Sequence, residues 1–98
     1  MGAQWFDAVG TGKTAQKAFD NAVEEAQYDY GHSGYTGTIA EKCKFVMITD
    51  KKMSMSDAMA LAYKLDENED KRINDKWGPA GCIPLTDGTY LFFGWASS

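Results

Sequence analysis

The stretch GCIPLTDGTYLFFGW, residues 81–95, contains two apolar runs on either side of the dipeptide Asp87-Gly88. An Asp-Gly pair between apolar runs is a strong signal for a two-residue type I′ turn joining antiparallel strands. Pro84 has no backbone N–H to donate to a neighbouring strand, so we expect its strand at an edge of the sheet. The stretch therefore predicts a β-hairpin near the end of the chain.

Two strands and two helices are predicted before this hairpin. The apolar runs at 4–9 and 44–49 have the composition of strands. Apolar residues recur at helical spacing from Ala15 to Ala26, and they predict a helix near 14–30. The sequence SMSD at 54–57 matches a capping box and opens a second predicted helix near 55–68.

The order β-α-β-α-β-β predicts the fold class. We expect an α+β domain, a two-layer sandwich with both helices on one face of a small mixed or antiparallel sheet. The 98 residues and their 44% apolar content fit a single domain, 1–98. Within the predicted first helix, Thr14 is the expected N-cap and Gly31 the residue that ends the helix.

Composition and charge exclude several classes of protein. The chain has 14 acidic and 10 basic residues, a net charge of −4, which argues against general nucleic-acid binding. No signal peptide is recognisable, and no apolar run approaches the about 18 residues of a membrane span. We therefore predict a soluble, cytoplasmic protein that contacts no membrane.

Few residues could carry catalysis or hold a metal. His32 is the only histidine, and its spacing from Cys43 and Cys82 fits no zinc pattern. The cysteines fit either buried free thiols in a reducing cytosol or one long-range disulfide. Because no nucleophile and base form a recognisable set, we predict no enzyme activity, no catalytic residues, no metal and no cofactor.

Two short motifs resemble ion or phosphate loops but lack their decisive residues. The sequence GTGKT at 10–14 has Asp7 where a phosphate-binding loop needs its first glycine. Residues 66–77 resemble a calcium loop, but Lys71 replaces the turn glycine and Trp77 replaces the bidentate carboxylate. We interpret the first as a strand-to-helix turn and the second as a charged linker.

The stretch YDYGHSGYTGTI, residues 28–39, has the composition of a binding loop. It contains three tyrosines, three glycines, two threonines and the only histidine. Rings offer stacking faces, and glycines let a ligand approach the backbone. His32 either fixes the loop or contacts the ligand. The predicted ligand-binding residues, which should converge on one concave site, are Tyr28, Tyr30, His32, Tyr35, Thr36 and Thr38.

A second predicted surface lies on the last strand. Adjacent residues of a strand point to opposite faces, so one of Phe92 and Phe93 should be exposed if both helices cover the same face. Exposed rings usually signal a partner, often a second copy of the chain. We therefore predict a homo-oligomer with an interface near Phe92, Phe93 and Trp95.

The first half of the chain resembles a known group of proteins. The sequence AFDNAVEEAQYDYGHSGYTGTI at 18–39 is similar to small bacteriophage accessory proteins that share a helix running into such a loop. The segments KWGPAG at 76–81 and FGWA at 93–96 also look similar. The resemblance implies a phage protein made inside a bacterial host. Such proteins commonly disarm host defences.

Two functions are consistent with these observations. In the first, the protein sequesters a nucleotide-derived signalling molecule of the host without altering it, with rings stacking on a base. In the second, it inhibits a host defence or housekeeping protein by binding it through its aromatic sheet face and acidic surface. The dense loop at 28–39 favours the first.

Overall fold

The computed structural model describes residues 2–30 and 35–98, with the backbone alone at Tyr30. Two helices and four strands follow in the predicted order. They are β1 (Ala3–Gly10), α1 (Ala15–Tyr30), β2 (Phe45–Met47), α2 (Met55–Glu67), β3 (Ala80–Pro84) and β4 (Tyr90–Ser97). A short 3₁₀ helix, Ile39–Glu41, precedes β2. The predicted α+β class and both helices are confirmed.

The four strands form one mixed sheet in the order β1-β4-β3-β2. Strand β4 is antiparallel to both β1 and β3, whereas β2 and β3 are parallel and are joined by α2. The strands β1 and β2 are therefore the two edges. They differ in length, because β1 has eight residues and β2 has three.

Capping side chains fix where the helices begin. The hydroxyl of Thr14 accepts a 3.1 Å hydrogen bond from the backbone N–H of Lys17. At α2, the hydroxyl of Ser54 accepts a 3.2 Å bond from the N–H of Asp57. Each hydroxyl satisfies one of the backbone donors that a helix N-terminus leaves unpaired.

The first helix approaches the sheet closely at the end of β1. The stripe Ala18, Phe19, Ala22 and Ala26 is buried against the sheet. A Cβ atom at Gly10 would lie 2.4 Å from the carbonyl oxygen of Ala18, so only glycine permits this approach.

The layering differs from the two-layer arrangement that we expected. Buried residues of β4 alternate between two cores: Phe92 packs with α1, whereas Leu91 and Phe93 pack with α2. Because neighbouring strand residues point to opposite faces, the helices must cover opposite faces of the sheet. The sheet is thus enclosed between α1 and α2. An uninterrupted apolar run such as LFF in β4 is typical of a strand buried on both sides.

The predicted hairpin is present with a different turn. The N–H of Gly88 donates to the carbonyl of Leu85 at 3.1 Å, and the N–H of Leu85 donates to the carbonyl of Thr89 at 2.9 Å. Gly88 has a φ of +90°, but the type I′ turn also requires a positive φ at Asp87, which is not found. The loop therefore has three residues, 86–88, with glycine at its left-handed position.

The prediction that Pro84 marks an edge strand is wrong, because β3 lies between β2 and β4. The N–H of Ile48 donates to the carbonyl of Cys82 at 2.9 Å. Continuing that parallel pattern would require residue 84 to donate to the carbonyl of Ile48, and proline cannot. Pro84 thus coincides with the end of the short β2 ladder.

Candidate functional site

Tyr28 and Tyr35 of the predicted binding loop do not share one described cavity. Tyr28 lies on α1 with 89% of its surface exposed. Tyr35 is about half exposed, and its ring meets Trp77 edge-on with 5.5 Å between centroids. His32 and the side chain of Tyr30 lie outside the described residues.

The two threonines of the loop are brought together with Glu41, the last residue of the 3₁₀ helix. Oε2 of Glu41 accepts from the backbone N–H of Thr36 at 3.1 Å and from its hydroxyl at 2.9 Å. The hydroxyls of Thr36 and Thr38 are 2.7 Å apart. Thr38 also caps the 3₁₀ helix, because its hydroxyl accepts from the N–H of Ala40 at 3.2 Å.

This network changes what the threonines can do. Each hydroxyl already has hydrogen-bond partners within the protein, and a carboxylate occupies the place where a phosphate oxygen would need to bind. An anion near Thr36 would therefore meet the charge of Glu41 as well as the loss of existing hydrogen bonds.

The aromatic residues predicted at an oligomer interface are mostly buried within the chain. Phe92 and Phe93 have no exposed surface, because α1 covers the first and α2 covers the second. Trp95 is half-buried and donates a 2.6 Å hydrogen bond from its indole N–H to Oδ1 of Asp66. Of these three side chains, only Trp95 can reach a partner without unfolding.

The outer edge of β1 is unpaired among the described residues. Gly2 and Ser98 exchange two backbone hydrogen bonds, of 3.2 and 3.1 Å. They are therefore a hydrogen-bonded pair, and this determines which residues of β1 bond to β4. The register continues without a bulge from Ala3 to Gly10. Because hydrogen-bonded and non-hydrogen-bonded pairs alternate in an antiparallel ladder, the backbone groups of every second residue point away from β4. These residues are Ala3, Trp5, Asp7 and Val9.

A groove of about 410 Å³ runs between this edge and α1. Residues 4–9 of β1 form one wall. The other wall is one face of α1, formed at helical spacing by Ala22, Glu25, Ala26 and Asp29. Gly37, Thr38 and Ile39 also line the groove, so the predicted loop and the groove share residues, although the described rings of Tyr28 and Tyr35 are not part of the lining.

The groove is acidic. Its described lining includes the carboxylates of Glu25 and Asp29 and the residue Asp7, and it contains no lysine or arginine. The carboxylate of Asp7 accepts a 3.1 Å bond from the indole N–H of Trp5. Glu25 and Asp29 are exposed on α1, and no described basic side chain forms a salt bridge with them. The groove therefore favours a cationic group over an anionic one.

A buried lysine holds the loop that precedes β3. The ammonium of Lys42 donates to the carbonyls of Asp75, Lys76 and Gly78 at 3.3, 3.3 and 2.9 Å. Burial lowers the pKa of Lys42, and the charge of Asp75 partly opposes that shift. The lysine is engaged by backbone oxygens, and it has no role in the groove.

The cysteines are both free, as one of the two interpretations of the sequence expects. Cys82 is buried, and that burial raises the pKa of its thiol to about 12. Cys43 is exposed, so the expectation that both thiols are buried is wrong for this residue. Among the described residues, no group of three His, Cys, Asp or Glu side chains could hold a metal ion.

A second cavity, of about 620 Å³, lies near the start of β1 and includes Asp66, Trp77 and Trp95. Lys76 also lines it, and its ammonium lies 5.4 Å from the centroid of the Trp77 ring. An aromatic and acidic cavity attracts cations, and here the ammonium of Lys76 already occupies that role.

Sequence reasoning missed the β1 edge, although a signal for it exists. The strand AQWFDAVG contains no lysine and no proline, the residues that commonly protect an edge strand from pairing.

Within residues 2–30 and 35–98, neither helix is long and apolar enough to cross a membrane. No protein-family model, curated protein or solved structure matches this chain.

Proposed function

We propose that this protein is a non-catalytic binding module that captures an extended segment of a partner protein by strand addition to β1. The observation that carries the proposal is the outer edge of β1, where four alternate residues present their backbone N–H and C=O groups beside a groove. Strand addition is a common mode of peptide recognition, in which backbone hydrogen bonds supply affinity and flanking pockets supply specificity.

The edge has the features that such recognition needs. It is eight residues long and free of bulges, so an incoming strand meets a regular row of donors and acceptors. The inner edge of β1 is hydrogen-bonded to β4, and the other edge of β4 is hydrogen-bonded to β3. A rigid template of this kind loses little conformational entropy when a segment binds.

Side chains on both sides of the edge can contact the segment. Residues of an added strand alternate between the two faces of the sheet. On one face they would meet the α1 wall of the groove. On the other they would meet Trp5, Asp7 and Val9, of which Val9 is 41% exposed. The partner segment therefore contacts, in alternation, the charged wall of α1 and a face with two apolar side chains, Trp5 and Val9.

A proline substitution tests the proposal. Val9→Pro removes one outward N–H and leaves the β1–β4 hydrogen bonds intact, which edge strands tolerate. Val9→Ala is the matched control, because it shortens the side chain and keeps the N–H. The probes are three peptides, Ac-(Lys-Val)4-NH2, Ac-(Thr-Val)4-NH2 and Ac-(Glu-Val)4-NH2, titrated by calorimetry after circular dichroism has verified that both variants fold.

We expect at least one peptide to bind the wild-type protein and to bind Val9→Pro about tenfold more weakly, since a lost hydrogen bond costs about 0.5–1.5 kcal/mol and the ring obstructs the strand. The affinity of Val9→Ala should stay within about threefold. Absence of binding by all three peptides, or equal weakening by the two variants, would contradict strand addition.

Sequestration of a nucleotide-derived signal is the second candidate. The exposed ring of Tyr28 and the paired rings of Tyr35 and Trp77 support it, because each could stack on a base. Glu41 and the acidic groove oppose it. Calorimetry with cyclic dinucleotides, cyclic oligonucleotides and ADP-ribose derivatives tests it: heat with unchanged ligand would favour sequestration over peptide capture.

The remaining expectations belong to this proposal. A bacteriophage anti-defence role in the cytoplasm of a bacterial host rests on the sequence resemblance, and a host protein would then supply the captured segment. Homo-oligomer formation stays a prediction, with Trp95 as the ring that remains accessible in part. Native mass spectrometry of the protein purified from bacteria would report both a retained partner and the oligomeric state.

A further inference from the structure

We infer that the segment captured at β1 is basic, with lysine or arginine at the alternate positions that face α1. This inference rests on the proposed strand addition and specifies the chemistry of its partner. It follows from the charge and the shape of the groove. These features are independent of the outward backbone N–H and C=O groups on which strand addition rests.

The α1 wall suits a long side chain that ends in a positive charge. Ala22 and Ala26 are small, and they are nearly buried beside the sheet. Glu25 and Asp29 lie on the same helical face and are exposed to solvent. A lysine or arginine can lay its aliphatic stem on the alanines and direct its charged end to a carboxylate.

Charge excludes the other simple occupants of the edge. An acidic segment would bring negative charge toward Glu25 and Asp29 on the α1 side and toward Asp7 on the opposite face, all of which already carry that charge. A second copy of the chain, paired edge to edge through β1, would oppose these three carboxylates with their own equivalents. A basic segment reverses the sign of each of these interactions.

The other face of the edge sets the remaining positions of the segment. Trp5 stacks at a tilt with Tyr63, with 5.7 Å between ring centroids, and Tyr63 is about half exposed. Apolar or β-branched residues of the segment would pack there. The expected pattern is basic and apolar in alternation, as in the peptide Ac-(Lys-Val)4-NH2.

The three peptides of differing charge test the inference at low salt and again in 0.5 M NaCl, the latter a concentration chosen to screen exposed charges. We expect the lysine peptide to bind about tenfold more tightly than the threonine peptide, a difference of about 1.4 kcal/mol. The glutamate peptide should bind most weakly. High salt should reduce these differences to about twofold.

A charge variant locates the preference. Glu25→Gln with Asp29→Asn should remove most of the lysine peptide's advantage, because it should weaken the binding of the lysine peptide far more than that of the threonine peptide. The matched control is Glu24→Gln with Glu67→Gln, which makes the same change in net charge at two exposed residues outside the described lining of the groove. An equal effect of both double variants would show that only net charge matters and would overturn the inference.

The outcomes separate the two proposals. Equal binding of the lysine and threonine peptides, both weakened by Val9→Pro, would retain strand addition and overturn the basic preference. Binding by none of the peptides would overturn strand addition and, with it, the inference. Sedimentation that shows a wild-type dimer and a Val9→Pro monomer would identify a second copy as the occupant and would also overturn the inference.

Discussion

One carboxylate oxygen of Glu41 accepts two hydrogen bonds from Thr36, from its backbone N–H at 3.1 Å and from its hydroxyl at 2.9 Å. The contact lies at the end of the stretch 28–39 that the sequence marks as a binding site. It turns the hydroxyl and the N–H that we expected to meet a ligand toward the protein's own carboxylate. The loop therefore supports the end of the groove, where Thr38 and Ile39 contribute to the lining.

The hydroxyl of Thr36 should contribute to stability. Thr36→Val removes the hydroxyl while retaining the shape of the side chain, and it leaves Glu41 and Thr38 with one partner fewer. We expect the free energy of unfolding to fall by about 1–2 kcal/mol in urea titrations. Thr11→Val is the control, because Thr11 is exposed and its hydroxyl makes no described hydrogen bond. Equal stability of the two variants would show that the network carries no energy.

Lys42 should stabilise the loop at residues 75–78. Lys42→Met keeps the length of the side chain but removes the donor shared by three carbonyls. Although the substitution also removes a buried charge, the unsatisfied carbonyls should dominate and lower the free energy of unfolding by about 1–3 kcal/mol. The exposed Lys44, replaced by methionine, should change it by less than about 0.5 kcal/mol. A Lys42→Met protein as stable as the wild type would contradict this role.

The two thiols should differ in reactivity. At pH 8, a disulfide reagent such as DTNB should modify the exposed Cys43 quickly and leave Cys82 unmodified until the protein unfolds. A Cys43→Ser protein isolates the buried thiol. Rapid modification of Cys82 in that folded variant would mean that its environment is open to solvent.

The raised pKa of Cys82 also predicts a dependence of stability on pH. Its ordinary value is 9.0 and its value in the folded protein is about 12, so the folded state retains a proton that the unfolded chain loses between these values. The contribution of this thiol to the free energy of unfolding is complete below pH 9 and falls as the pH rises toward 12. The loss should be smaller in Cys82→Ala, measured against the wild type by urea titration at each pH.

Local patterns in the sequence predicted the elements well. The helix expected near 14–30 is found at Ala15–Tyr30, and the one expected near 55–68 is found at Met55–Glu67. Both depend on caps and apolar spacing within a few residues. The layering differs from the expectation because element order does not fix which face a helix covers, whereas the apolar run in β4 calls for cover on both faces.

The candidate site was harder to predict because it depends on distant pairings. Nothing in the sequence near Trp5 or Val9 indicates that β1 will be an edge strand. That position depends on the pairing of β1 with the distant residues 90–97. The composition of residues 28–39 predicts a binding loop. It does not reveal that Glu41 will bind Thr36, because the 3₁₀ turn that brings them together forms only in the folded chain.

Residue-resolved amide hydrogen exchange, measured by NMR with and without saturating Ac-(Lys-Val)4-NH2, tests strand addition at β1 most directly. The outward amides of Trp5, Asp7 and Val9 should exchange more slowly when the peptide is bound. The amides of Gln4, Phe6 and Ala8, which already pair with β4, should change little. Such an alternation would be produced by a strand hydrogen-bonded to the edge. Unchanged exchange at Trp5, Asp7 and Val9, or equal slowing along the whole strand, would contradict the account.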